Sequence, residues 1–480
     1  MKIEQTKFLS SVSYALDYVE GELLGAAINA AEGSMEQTAA SGDVRIQKLM
    51  VAPNHAKRVA VLTNKMARAL GMGDEAVYAL THAALLHDSA LSEYLSDEFT
   101  GEKARAGAFD LKPHCVAGER IISDLPFYDK IKNSVLYHHE RADGRGPFGK
   151  TGDLVPDGAQ LIHLADVLDT AFNLDRMDEE KYNCVIEFVK SQKGRLYTER
   201  SVDAFLRSAD YELLCSITGD GSRTVVESLI PNQEADISTK QLRKLSGIFA
   251  EITDYKSHFT WRHSLGIAEK AEKMGEFYGY AAEERDKLYI AGALHDIGKL
   301  FIKNGILEKP GKLTGDEYRE IQNHALGTLR LLEGIGGMED ITSWAANHHE
   351  KLDGSGYPFG KKAPELSHHD RLLACLDIYQ ALVEERPYKP GLSHAEAMKI
   401  LNDMGGKGQL DENILRDIDS CFGSGEAAVI TPKVREQKQS YSGPVWRCPV
   451  CGYIYEGELP ADFICPQCEQ PGSIFEKTME

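Results

Sequence analysis

The sequence predicts a mostly α-helical protein, with two tandem, related all-α bundles followed by a small β-rich C-terminal domain. Three observations give this fold class. Apolar residues recur at helical spacing, one pattern of histidines and aspartates occurs twice at an offset of about 210 residues, and two C-x-x-C pairs lie near the C-terminus. Strand-like alternation is scarce before that tail.

Length and charge narrow the class of protein. A chain of 480 residues is too long for one ordinary hydrophobic core and predicts roughly three domains. The 54 Lys and Arg residues against 74 Asp and Glu give a formal charge of -20, which argues against binding to duplex nucleic acid or an anionic membrane. No apolar run suits a spanning helix and the N-terminus is too acidic for a signal peptide, so we expect a cytoplasmic protein.

Composition also places the domain boundaries, because small, polar and glycine-rich stretches separate the helical patterns. We expect an N-terminal helical segment over 1–45, a first bundle over 46–215, a connection over 216–240, a second bundle over 241–422, a linker over 423–444 and the C-terminal domain over 445–480.

The helices of the two bundles are predicted to begin or end at histidines. HAKRVAVLTNKMARAL begins at His55 and HSLGIAEKAEKMGEF at His263, while AVYALTHAALLHD and KLYIAGALHDIGK end at or near an HD pair. Thr314 followed by Glu317 predicts a capping box that opens another helix. Asp377 lies in the helical pattern HDRLLACLDIYQALV. The candidate ligands should therefore project from separate helices into a bundle interior.

The repeated pattern keeps its spacing in both halves. Intervals of 32 and 24 residues separate the first two pairs of histidines in each half, and an aspartate follows the last histidine by 27 or 28 residues. The members in the first half are His55, His87, Asp88, His114, His138, His139 and Asp166, and those in the second half are His263, His295, Asp296, His324, His348, His349 and Asp377.

Imidazoles and carboxylates in this pattern point to metal binding. They suit Fe, Mn, Zn or Ni, and a carboxylate bridges two ions about 3.5 to 4 Å apart. Two such ions would generate a bridging hydroxide near neutral pH and stabilise charge on a phosphodiester during in-line attack. The competing interpretation, packed or solvated histidines, holds for a single residue but fits the repeated intervals poorly.

At these residues the second half resembles the HD superfamily, in particular its HD-GYP branch of cyclic di-GMP phosphodiesterases. The resemblance covers about residues 245–420 and rests on KSHFT before His263, on HDIGK and on HHEKLDGSGYP. It implies that the seven second-half residues named above are metal ligands, with Asp296 bridging and catalytic.

The resemblance also implies a set of substrate contacts. Lys299, Arg386 and Lys389 would contact phosphate, Lys299 with a catalytic role as well, and Tyr357 would stack on a base. Some relatives carry a glutamate four residues before the first histidine and bind a third metal. Phe259 stands there, so we expect two metals, iron or manganese.

The first half departs from the branch. The tyrosine between glycine and proline is missing, Leu91 stands where the other half has Lys299, and Asp175 and Asp178 replace the cations at Arg386 and Lys389. We expect a metal-binding regulatory or divergent HD domain there, with an activity of its own left open.

The tail is a second kind of metal site. Cys448, Cys451, Cys465 and Cys468 supply four thiolates for tetrahedral iron or zinc. The stretch resembles the rubredoxin-like module of rubrerythrins, which implies one iron that cycles between two oxidation states; a zinc ribbon stays open. The remaining cysteines, among them Cys115 and Cys375, are expected to be buried thiols.

These observations predict a phosphodiesterase that hydrolyses cyclic di-GMP to pGpG, with GMP as a further product, under redox control from the tail. A diiron oxygenase reduced by the tail and a nonenzymatic sensor of dinucleotide, oxygen or redox state are the alternatives. The expected partners are a cyclic dinucleotide and an electron-transfer protein, with a homodimer as a further expectation.

Overall fold

The computed structural model describes most of the two helical regions and part of the C-terminal domain. The described residues are 3–32, 53–90, 111–123, 125, 127–230, 238–256, 263–307, 309, 311–385, 391–423, 445–447, 454–456, 460, 473 and 476–477.

Helices are the main secondary structure of the described residues before the tail, as the sequence predicts. In the first half and the segment before it they are α1 Gln5–Glu32, α2 His55–Ala69, α3 Asp74–Leu85, α4 Lys112–Ser123, α5 Asp157–Phe172, α6 Glu179–Ser191, α7 Glu199–Ser208, α8 Tyr211–Ser216 and α9 Gly221–Leu229. In the second half they are α10 Thr239–Lys256, α11 His263–Phe277, α12 Ala282–Leu294, α13 Asn304–Leu307, α14 Gly315–Leu332, α15 Glu339–Ala346, α16 His368–Val383, α17 His394–Gly406 and α18 Glu412–Phe422. Short 3₁₀ turns cover Tyr128–Lys130, Gly152–Leu154, Ile297–Phe301 and Ala363–Glu365.

The two halves repeat one packing arrangement. In the first, α2 packs against α3 and α5; in the second, α11 packs against α12 and α16 in the same order. The predicted capping box is present at the start of α14. The Thr314 side chain accepts a hydrogen bond from the Glu317 amide, and the Glu317 carboxylate accepts one from the Thr314 amide. Local chemistry thus fixes where this helix begins.

Helix α1 joins the two halves. It packs against α2 and α3 on one side and against α14 and the Ile297–Phe301 turn on the other. Phe8, Leu9 and Val12 are fully buried, and Phe8 meets Phe249 edge-on with ring centroids 5.8 Å apart. Buried apolar side chains of both halves therefore form one continuous core through α1.

The predicted connection holds more structure than its polar composition indicates. Helix α9 lies within it and buries Val226 and Ser222 against the rest of the chain. Helix α10 then begins at Thr239, close to the predicted start of the second bundle.

Strands occur in the described residues of the tail. β1 Val445–Arg447 pairs antiparallel with β2 Ile454–Glu456 and with β3 Glu476–Lys477, in the order β2-β1-β3. Among the helices that the structure describes, none combines the length and hydropathy needed to cross a bilayer.

Candidate metal centres

Three helices and the ends of two others bring the second-half pattern into one cage. α11 begins at His263, α12 ends just before His295 and Asp296, α14 carries His324, α15 precedes His348 and His349, and α16 carries Asp377. All of these side chains except His349 are buried, and His349 is partly buried.

Asp296 lies between two groups of imidazoles. Its Oδ2 is 3.2 Å from His295 Nε2, and its Oδ1 is 3.3 Å from His324 Nε2 and 3.9 Å from His348 Nε2. The two carboxylate oxygens thus face different imidazoles, which is the arrangement of a bridging ligand.

Asp377 spans the same two groups from the opposite side. Its Oδ1 lies 3.1 Å from His263 Nε2 and 4.0 Å from His295 Nε2, and its Oδ2 lies 3.3 Å from His349 Nδ1. Ligand atoms of His263, His295 and Asp296 lie within 4.8 Å of one another, and so do those of His324, His348 and His349. The cage therefore offers two adjacent cation positions.

Backbone carbonyls orient the imidazoles. The Nδ1 atom of His295 lies 2.7 Å from the carbonyl oxygen of Gly292. The Nδ1 atoms of His324 and His348 each lie 2.5 Å from a carbonyl oxygen, that of Ile321 and that of Ala345 respectively. Donation from Nδ1–H leaves Nε2 as the lone-pair nitrogen that faces the cage.

The electrostatics of the cage fit cations. Burial raises the pKa of Asp377, but hydrogen bonding to His263 and the charges of the nearby histidines outweigh it and hold that pKa well below its usual range. Burial lowers the pKa of His324 to about 3, which keeps its imidazole neutral. His295 Nε2 and Asp296 Oδ1 are buried without a hydrogen-bond partner in the described part of the chain. An ionised Asp377, a neutral His324 and unpaired buried atoms belong to the donor set that a transition metal requires, and His263 would release its proton on binding one.

Two of the four predicted substrate contacts border this cage. Lys299 Nζ donates to Asp296 Oδ2 at 2.5 Å. The half-buried ring of Tyr357 lies 4.6 Å from that of His349, centroid to centroid. The other two, Arg386 and Lys389, lie outside the described residues, as does Phe259, on which the expected number of metals depends.

Two residues that the sequence pattern did not identify, Glu350 and Gly356, hold the cage in place. Buried Glu350 accepts hydrogen bonds from the Phe359 amide at 2.7 Å and the Lys361 amide at 2.9 Å, and so anchors the loop that carries Tyr357. A Cβ on Gly356 would lie 2.5 Å from the His349 carbonyl oxygen, so only glycine permits this close approach. The signal was available, because a glutamate follows the histidine pair in both halves.

A further missed residue supports the first histidine of the cage. Glu384 Oε2 lies 3.0 Å from His263 Nδ1 and so orients that ring. Burial lowers the pKa of His263, but hydrogen bonds to Asp377 and Glu384 outweigh it and raise the pKa to about 10. No sequence spacing identified Glu384. It directly follows the end of α16, and the packing of α16 against α11 brings it to the His263 ring.

The first half builds the same cage. Asp88 Oδ2 lies 3.1 Å from His87 Nε2, and its Oδ1 lies 3.0 Å from His114 Nε2 and 3.5 Å from His138 Nε2. Asp166 completes the set, with Oδ1 3.5 Å from His55 Nε2 and Oδ2 3.9 Å from His139 Nδ1. The structure thus brings all seven predicted residues of each half together.

The acids that distinguish the first half have structural partners. Buried Arg58 donates to Asp169 at 2.6 Å and to Asp175 at 3.1 Å, and Asp169 in turn lies 2.7 Å from His55 Nδ1. Asp178 caps α6 by accepting from the Lys181 amide. Asp175 therefore supports the first cage through Arg58 and Asp169.

The four cysteines of the tail, Cys448, Cys451, Cys465 and Cys468, lie outside the described residues. The antiparallel strands β1 to β3, which the structure describes, agree with the small β-rich domain that the sequence predicts.

Comparison with known families assigns these parts. The model of the HD domain family matches residues 45–192 and again residues 248–414. The model of the rubrerythrin rubredoxin-like domain matches residues 446–476.

Several relatives are phosphodiesterases. A 3′3′-cGAMP-specific phosphodiesterase of Vibrio cholerae is 29% identical over 370 residues, which cover 75% of this chain and 85% of that relative. A probable cyclic di-GMP phosphodiesterase of the same organism is 38% identical over 171 residues, 32% of this chain and 38% of that relative. A crystal structure of a cyclic GMP-AMP phosphodiesterase of V. cholerae superposes with a TM-score of 0.59 at 20% identity, covering 88% of this chain and 98% of the other, and supports the fold.

The prediction of a phosphohydrolase is confirmed at the level of enzyme class by the family match and these relatives. The two regions that match the HD domain model together make up more than half of this chain. The chain therefore belongs to the HD domain family, and it also contains a rubredoxin-like domain in its C-terminal region.

Proposed function

We propose that the second-half cage hydrolyses cyclic di-GMP to the linear dinucleotide pGpG, with GMP as a further product. The observation that carries this proposal is the pair of buried carboxylates, Asp296 and Asp377, each of which faces two groups of imidazoles with its two oxygens.

The residues of the cage would hold two divalent ions, iron or manganese. Bound there, the ions would supply an activated water and neutralise charge on a phosphodiester. The chain supplies the rest of the site: carbonyl-bound imidazoles of fixed orientation, and a buried setting in which electrostatic interactions are strong.

Lys299 and Tyr357 would bind the substrate on either side of the cage. The Lys299 ammonium lies beside Asp296 at the cage edge, with 18% of its side chain exposed, so it is placed to contact a phosphate. Tyr357 presents a half-buried ring beside His349, on which a base can stack. Phosphate at the cations and a base on the tyrosine match the two chemical parts of a cyclic dinucleotide.

A second substrate candidate is 3′3′-cGAMP. It is favoured by the similarity to a cGAMP-specific phosphodiesterase, which covers 85% of that relative and 75% of this chain, too much of the chain to be confined to the second half and the tail.

Anaerobic turnover distinguishes these proposals from the alternatives. Wild-type protein loaded with Fe(II) or Mn(II) should convert one of the two dinucleotides to a linear product, which chromatography identifies. Binding of both dinucleotides without any product would instead identify a sensor, and consumption of oxygen without phosphodiester cleavage would identify an oxygenase.

A matched variant tests the substrate contact. Lys299→Met keeps the length of the side chain and removes its charge, and it should lower kcat/KM by about tenfold or more, mainly through KM, because a charged hydrogen bond to phosphate is lost. An unchanged KM would show that Lys299 acts only on Asp296.

We further propose that the rubredoxin-like domain controls the oxidation state of iron in an HD cage and thereby the rate of hydrolysis. The support is the presence of both domains on one chain. Diferrous and diferric preparations should hydrolyse the dinucleotide at different rates. Equal rates would remove redox control and leave the hydrolase proposal intact.

A further inference from the structure

Cys115 lies inside the first-half cage. It follows His114 on α4, is fully buried, and offers its Sγ within 4.8 Å of a ring nitrogen of each of His114, His138 and His139. The sequence predicts an ordinary buried thiol at this position, but the tertiary structure surrounds its sulfur with three candidate metal ligands.

A second observation marks the same group as incomplete. The Nδ1 atom of His114 is buried and has no hydrogen-bond partner among the described residues. In the second half the matching atom, Nδ1 of His324, lies 2.5 Å from the Ile321 carbonyl oxygen. The backbone carbonyl that orients His324 thus has no equivalent for His114, and a buried nitrogen of His114 keeps an unused capacity for a hydrogen bond or a metal bond.

The internal repeat supplies a direct comparison. Since His114 corresponds to His324, Cys115 corresponds to Ala325, which is also fully buried. Both positions face the interior, and the two cages differ there by one sulfur atom.

We propose that Cys115 is a metal ligand in the first-half cage, where it turns a three-histidine position into a His₃Cys position. On coordination the thiol loses its proton to solvent and a sulfur–metal bond forms, so that one additional proton is released per ion bound. Thiolate ligands favour zinc and iron over manganese, whereas imidazole and carboxylate alone also suit manganese. The two cages of this chain thus select different metals, and the first holds the softer ion more tightly.

Cobalt(II) reports sulfur ligation directly, because a thiolate bound to cobalt gives a near-ultraviolet charge-transfer band that nitrogen and oxygen ligands do not give. The full chain would be loaded with Co(II) under anaerobic conditions. The cysteines of the tail contribute equally to every variant, so the signal of interest is the difference between wild type and Cys115→Ala, the residue that the other half carries.

Three outcomes support the proposal. The Cys115→Ala difference spectrum should contain a band equivalent to one thiolate, and Cys375→Ala, which removes another buried cysteine outside the clusters, should give no difference. Ala325→Cys should gain a band in the second half. Competition with a chelator should show that Cys115→Ala weakens zinc binding to one site by at least about tenfold and manganese binding by less.

An identical spectrum and identical zinc affinity for wild type and Cys115→Ala would overturn the proposal. Cys115→Ser, close in volume, serves the same purpose if the alanine variant does not fold. None of these measurements uses hydrolysis, so their outcome is independent of the proposed phosphodiesterase activity.

Discussion

Asp296→Asn is the most informative perturbation of this protein, because it preserves the shape of the side chain and removes the charge that the two proposed cation positions would share. One carboxylate oxygen faces His295 and the other faces His324. The amide can offer at most one oxygen, so one of the two positions loses a ligand and both lose half of a bridging charge.

The size of the effect follows from these two contacts. Loss of an outer partner of a metal ligand costs about 10- to 100-fold in affinity or activity. Asp296 would serve two positions directly, so we expect the two factors to multiply and hydrolysis to fall by about 10²- to 10⁴-fold, which corresponds to about 2.7–5.4 kcal/mol. Metal content should fall by close to two ions per chain.

The assay is an anaerobic initial rate of dinucleotide hydrolysis together with metal analysis of the same sample. Asp88→Asn is the matched control, since it makes the same change in the first-half cage. It should lower metal content by a similar amount while most of the hydrolysis rate remains.

Folding must be separated from catalysis in this experiment, because Asp296→Asn also leaves Lys299 without its carboxylate partner. The double variant with Lys299→Met removes both charges and should restore thermal stability without restoring the rate. A folded Asp296→Asn protein with wild-type rate and metal content would refute the bridging role and the proposed chemistry with it.

Three further predictions concern other parts of the fold. Tyr357→Ala should raise KM by about 5- to 150-fold through loss of about 1–3 kcal/mol of stacking, whereas Tyr357→Phe should keep the wild-type value. Steady-state kinetics measure both variants, and equal KM values for the two would exclude stacking. Gly298→Ala would place a Cβ 2.0 Å from the His324 carbonyl oxygen and should destabilise the fold by about 3 kcal/mol or more in thermal unfolding, while Gly305→Ala, which faces open space, should be nearly neutral. Burial lowers the pKa of His82 to about 4 from 6.5, so the unfolded chain binds the proton more readily and stability should fall by up to about 3 kcal/mol as pH decreases from about 6.5 to 4. His82→Gln should remove this dependence of the free energy of unfolding on pH, which denaturant titrations at several pH values measure. An unchanged dependence between pH 6.5 and 4 would contradict the lowered pKa of His82 as its cause.

Many of the helices could be predicted from the sequence, because their bounds depend on residues close together in the chain. The starts of α2 and α11 at His55 and His263 and the cap at Thr314 agree with the predicted elements, because apolar periodicity and capping residues act over a few neighbouring positions. The pattern of candidate ligands could be predicted because both halves keep the same intervals between histidines. Histidines in the repeated pattern could therefore be distinguished from histidines outside it.

The supporting residues were not accessible in the same way. Asp169, Arg58 and Glu384 act on the first histidines of the cages through contacts that span more than 100 residues of sequence, and neither spacing nor composition encodes such contacts. Asp175 illustrates the difference, since its acidic character suggested only the loss of a cation, and the structure gives it a hydrogen bond from buried Arg58.

The sequence by itself determined the helical class, the duplication and the presence of a four-cysteine tail, and it predicted fourteen histidine and aspartate residues as candidate metal ligands. Residue type and spacing suffice for these properties, because they depend on helical periodicity and on ligand chemistry. Only the tertiary structure decided that each aspartate divides its two oxygens between two groups of imidazoles, that α1 unites both halves in one core, and that Cys115 joins a histidine cluster whose counterpart has alanine. These features arise where separate helices meet, and the directions in which their side chains point are set by packing between elements that are distant in sequence.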